Sequence, residues 1–210
     1  FWCLCGDVFF YTLSTLVLLE INAYGVAQLG LGPTMASLLP GGLMLGICAG
    51  AGLAARRARG DWRRSVPRAC AGIGLLLAVA GGVPAAPEAF RFGLLFACYA
   101  AVGICGSLYI VPVSSQIQLL PAAEEKGRIL GTSNFFSFSG MALAGPVYAL
   151  LSFLPPSVAH MLLGGLTLIW AVFFARRLKA AFPDGDDGGS SGGAGDDEAK
   201  AGGPRGPRRA

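Results

Sequence analysis

GICAGAGLAARRARGDWRRSVPRACAGIGLLL, residues 46–77, is the stretch on which the fold turns. A small-residue apolar run ends at Ala55. Arg56, Arg57, Arg59, Arg63, Arg64 and Arg68 follow, and the apolar character then resumes. About 20 apolar residues cross a bilayer as a helix. A loop this basic stays on the cytoplasmic side. The stretch therefore reads as two membrane helices joined by a cytoplasmic loop.

Working outward, the same reading finds six spans, near 6–28, 34–55, 67–85, 90–119, 129–153 and 157–176. Pro67 is expected at a helix start, where a missing N–H costs nothing. Pro155 and Pro156 separate the last two spans. Lys126 and Arg128 fall in the next loop on the side of the arginine loop, as do Arg176, Arg177 and Lys179 after the last span. The opposite loops offer only Arg91. The expected protein is a multi-pass inner (plasma) membrane protein with both ends of this chain cytoplasmic.

Composition agrees. Of 210 residues, 54% are hydrophobic and 13% charged, with a mean hydropathy of +0.61. Soluble domains carry about 25% charged residues. Residues 1–180 are expected to form the transmembrane domain. Residues 181–210 are Gly/Asp/Arg-rich and bury too little apolar surface to offset their ordering entropy, so a disordered cytoplasmic tail is expected. No basic stretch precedes the first apolar run, and no cleavable signal peptide is expected.

Six cysteines form no CxxC pair, and there is one histidine, His160. No metal, no cofactor and no nucleic-acid partner is expected from this inventory.

The spans differ in polarity. The third and sixth are apolar nearly all round and are expected to face lipid. The second carries Gly42, Gly46 and Gly50 at four-residue spacing, which lets a second helix approach closely. The first, fourth and fifth carry polar groups that hydrocarbon penalises, so these should turn toward one another or toward water. The candidate cavity residues are Glu20, Asn22, Tyr24, Tyr109, Ser114, Ser115, Gln116, Gln118 and Asn134. Glu20 sits about 20 Å from the inner end of its span and is expected either in a wet cavity or bridging to a neighbouring helix. Tyr24 fits an interfacial belt residue equally well. Pro112 and Pro146 interrupt helical hydrogen bonding in mid-span and are candidate bends of a gated pathway.

The stretch GSLYIVPVSSQIQLLPAAEEKGRILGTSNFFSFSG, residues 106–140, resembles the tenth span, inner loop and eleventh span of lysophospholipid transporters, a branch of the major facilitator superfamily. LGLGPTMASLLPGGLMLGICAGAGLAARR, residues 29–57, is similar to that family's seventh and eighth helices. The resemblance implies an all-α membrane fold, two inverted three-helix repeats forming half of a twelve-helix carrier. It also implies alternating access, with lysophospholipid or another amphipathic small molecule as cargo. The bilayer is then one partner, and an N-terminal six-helix half or a second subunit another. One departure is local: after Gly52 the loop reads LAARRARGDWRR, with Asp61 later than the family's inner-loop motif has its acidic residue.

Three other readings stand beside this one. The fold would serve drug or metabolite efflux equally well. A six-span intramembrane serine protease would pair Ser107 with His160, although Leu108 follows the serine where such a nucleophile turn wants glycine. His160 otherwise reads as an interfacial residue. A non-transporting six-span scaffold completes the set.

Overall fold

The computed structural model describes residues 1–57 and 61–181. The expected tail, apart from Ala181, and Arg59 of the basic loop lie outside the described residues. Among the described residues there are six long helices and no strand. They are α1 (Trp2–Ala23), continued by a π-helical turn (Tyr24–Gln28), then α2 (Pro33–Arg56) and α3 (Trp62–Gly81). After a 3₁₀ turn (Val83–Ala85) come α4 (Glu88–Leu119), α5 (Lys126–Leu151) and α6 (Pro156–Ala181). All six are long and apolar enough to cross a membrane. The chain is thus an all-helical protein compatible with multi-pass membrane insertion.

The helices begin earlier than the apolar runs suggest. α3 starts at Trp62 because Asp61 caps it, accepting from the Arg63 amide at 3.1 Å. Pro67 therefore lies inside the helix and not at its start. α4 and α5 run unbroken through Pro112 and Pro146.

With lipid outside, helix association rests on close packing more than on the hydrophobic effect. The glycine stripe of α2 does this against α4. A side chain at Gly46 would run into the backbone carbonyl of Ala100, and one at Gly103 into that of Leu43. α3 and α6 meet the same way: a Cβ on Gly74 would stand 2.8 Å from the Gly164 carbonyl oxygen. α1 packs on α5, and α3 also packs on α4.

The expectation that the third span chiefly faces lipid does not hold. Of the six, α3 has the largest buried share, with Val66, Cys70, Ile73, Leu77 and Ala80 enclosed by α4 and α6. An all-apolar circumference suits protein and lipid neighbours alike, so composition alone does not distinguish them. α5 is the least buried, and Phe135, Phe138, Leu143 and Leu150 stand exposed along it. α4 and α5 touch each other little while both lean on α1, which leaves a wedge between them with α1 as its floor.

Candidate functional site

The wedge holds a carboxylate that the sequence reading did not single out. Asp7 lies about 8 Å along α1 from its first residue, toward the end of the bundle that carries the arginine loop. It is buried, yet no basic side chain pairs with it; the ion pairs among the described residues use Asp61, Glu88 and Glu125. Its partners are hydroxyls. Ser137 and Ser133 of α5 donate to Oδ2 at 2.8 and 3.1 Å, and Ser114 of α4 donates to Oδ1 at 3.4 Å. Ser133 and Ser137 are four apart and so share one helix face. Three helices thus converge on one carboxyl group that serine hydroxyls hold and that no basic side chain among the described residues pairs with.

A cavity of about 480 Å³ opens beside it. Its wall includes Asp7, Tyr11, Ser114, Gln118, Ser133, Asn134 and Ser137, together with the apolar Ile117 of α4 and Leu130, Phe138 and Met141 of α5. Of the residues expected in a cavity, Ser114, Gln118 and Asn134 are here. The others are elsewhere. Ser115 and Gln116 turn to a different crevice, with Pro112. Asn22 is exposed on α1. Tyr109 is a buried clasp whose hydroxyl donates to the Gly6 carbonyl at 3.0 Å, with its ring stacked on Phe10. Pro146 lies on α5, exposed.

Glu20 lies about 27 Å along α1 from its start, near the opposite end. It is 2% exposed, and its Oε1 has no hydrogen-bond partner. It does not line the Asp7 cavity. Around it is a buried aromatic cluster. Tyr24 donates to the Ala80 carbonyl at 2.6 Å, and its ring lies 4.7 Å from that of His160. His160 is fully buried within the bundle, in the first turns of α6. Its Nδ1 is 2.8 Å from the Pro156 carbonyl and its Nε2 is 2.7 Å from the Tyr99 hydroxyl. A carbonyl only accepts, so Nδ1 carries the proton and Nε2 accepts from Tyr99. Gln28, ending the π-helical turn, ties α1 to the start of α6: its amide donates to Ser157 Oγ and accepts from the Ser157 amide, both at 2.7 Å.

Comparison with family models, curated proteins and solved structures finds no match. Function is therefore argued from the geometry. That geometry does not pair Ser107 with His160. Ser107 donates to the Ile47 carbonyl at 2.8 Å, while both ring nitrogens of His160 are engaged by Tyr99 and Pro156. Among the described residues no group of three His, Cys, Asp or Glu side chains converges on a metal position.

One signal for Asp7 was present in the sequence. Ser133 and Ser137 at four-residue spacing, in a span with few other polar groups on that face, imply a shared acceptor on a neighbouring helix. Asp7 is the acceptor, and it lies close enough to the span end to read as a boundary residue.

Proposed function

We propose that this chain is the six-helix half of a facilitator-type secondary carrier that moves an amphipathic small molecule, lysophospholipid, by alternating access. One observation carries the reading: a buried carboxyl with no basic partner among the described residues, in a cavity of about 480 Å³ that α1, α4 and α5 line with both polar and apolar side chains. Ionisable groups inside spans mark substrate or ion pathways because they are otherwise too costly. A lining that is both polar and apolar suits a cargo with a headgroup and a chain.

The helix packing supports two repeats. Exchanging α1–α3 with α4–α6 turns the α2–α4 contact into the α5–α1 contact and returns α3–α6 to itself; all of these contacts are made. Three-helix units related in this way have opposite orientations, the arrangement of inverted repeats in carriers. The facing half would then meet the wedge side of the bundle.

A second cargo class is favoured by the same wall. Tyr11 and Phe138 beside an anionic group suit a cationic amphiphile, since aromatic faces attract cations. Efflux of such a drug or metabolite is the alternative.

The test uses the native gene product at its full length in proteoliposomes, with labelled lysophosphatidylethanolamine. Saturable uptake is expected, reduced about tenfold or more by Asp7→Asn at equal protein incorporation. Saturable uptake of a labelled cationic amphiphile, with lysophosphatidylethanolamine uptake no greater than in protein-free vesicles, selects the efflux reading. Uptake identical to protein-free vesicles for both cargoes overturns both.

A further inference from the structure

A second cavity, of about 520 Å³, opens where the end of α2, the start of α3 and the end of α4 diverge. It is separate from the Asp7 cavity: the two have no lining residue in common, and they lie on different sides of α4. Serines 114 and 115 illustrate the split, the first reaching Asp7 and the second facing this crevice.

The crevice is cationic at its mouth. Arg57 closes α2 and Arg68 lies in the second turn of α3; both are exposed and both line it. Neither makes an ion pair or ring contact among the described residues. The nearby carboxylate, Asp61, is neutralised by Arg63 and Arg64 at 3.6 and 3.3 Å. The positive charge at this mouth is therefore uncompensated by the described protein. The side chain of Gln116 adds an uncommitted amide, while the Ser115 hydroxyl already donates to Val111 and offers its oxygen as acceptor.

Deeper in, the crevice is apolar. On α4, Cys105, Leu108 and Val111 line it inward from the helix end, and Leu119, the last residue of α4, stands 71% exposed at the mouth. Trp62 stands at the level of the arginines, where indole rings favour the membrane interface. A soluble anion would use the arginines and leave this apolar flank bare. A phospholipid uses both, with its phosphate between the guanidiniums and its acyl chain along α4. Guanidinium matches phosphate geometry with paired N–H donors, and the volume falls in the range that holds a small-molecule headgroup.

We propose that this crevice binds an anionic phospholipid of the leaflet next to the arginine loop, with Arg57 and Arg68 on the phosphate and the Leu108–Leu119 flank against the chain. Basic crevices between membrane helices at this level take lipid headgroups by the same electrostatics. The site requires only that the helices cross the membrane, and holds whatever the Asp7 cavity carries.

Native mass spectrometry of the full-length native protein tests it, titrating with phosphatidylglycerol, phosphatidylcholine or inorganic phosphate. A retained phosphatidylglycerol adduct is expected, with phosphatidylcholine much weaker. Replacing both arginines (Arg57→Gln with Arg68→Gln) should lower the apparent affinity roughly 30-fold, while Arg128→Gln, on the next loop, should leave it unchanged. Equal retention of phosphatidylcholine, or retention unaffected by the double substitution, overturns the proposal. So does inorganic phosphate displacing the lipid at comparable concentration, which would mark a free-anion site. If the double variant fails to fold, fluorescence of the unsubstituted protein decides. Dibrominated phosphatidylglycerol should quench tryptophan emission in vesicles, and Trp62→Phe should remove that component; quenching unchanged by Trp62→Phe overturns the proposal equally.

Discussion

Ser137 makes the shortest hydrogen bond to Asp7, 2.8 Å against 3.1 Å for Ser133 and 3.4 Å for Ser114. A hydrogen bond to a charged group contributes about 1.5–3 kcal/mol, and a long one correspondingly less. Ser137→Ala should therefore lower the thermal midpoint in detergent clearly, and Ser114→Ala by much less. Equal effects would mean that the carboxylate does not depend on this geometry. Glu20 poses the opposite case, because its Oε1 is buried without a partner. An unsatisfied buried polar atom costs about 1–3 kcal/mol, so Glu20→Met, similar in volume, should hold or raise the midpoint. A marked fall would show that Glu20 has a stabilising partner. Glu20 was legible in the sequence because a carboxylate inside a leucine run cannot be missed. Asp7 was not, because one-dimensional reading places it near a span end, and its three hydroxyl donors lie on helices more than 100 positions away.

At the scale of elements, the six spans were readable because length and apolarity are local properties that lipid imposes directly. What a span packs against is not local. The Gly42, Gly46 and Gly50 stripe announced a close helix neighbour, but that the neighbour is α4 comes only from the fold. Likewise α3 looked lipid-facing and is the most enclosed of the six. The α2–α4 contact gives a sharp comparison. A methyl group at Gly46 collides with the Ala100 backbone carbonyl, which cannot rotate away, whereas one at Gly52 meets nothing within 4 Å. Gly46→Ala should destabilise by about 1–3 kcal/mol, the cost of overpacking a rigid contact. Gly52→Ala should be neutral or slightly favourable, since alanine loses less backbone freedom in a helix. Thermal midpoints of the two variants, side by side, check this; equal loss would mean that α2 and α4 are not packed at this register.

The whole molecule has two unlike ends, and their difference predicts how it sits in a membrane. One end gathers the start of α1, the arginine loop, Lys126, Arg128 and the end of α6; the other has Arg91, already bound to the Ala86 carbonyl at 2.9 Å and paired with Glu88 at 3.7 Å. Insertion retains basic loops in the cytoplasm, so the arginine-loop end should face inward. The six cysteines would confuse a labelling test, so the background replaces them with serine or alanine. In intact cells a membrane-impermeant maleimide should then label Ala86→Cys and spare Arg64→Cys, with Arg64→Cys reacting only after permeabilisation. The reverse pattern would invert the protein. It would carry the Asp7 cavity and the arginine crevice to the outer leaflet with it, since both belong to the same end of the bundle. The labelling therefore tests more than orientation. An anionic-lipid site suits the cytoplasmic leaflet, where such lipids give the surface its negative potential, and an outward-facing Arg57 and Arg68 would be left without that attraction.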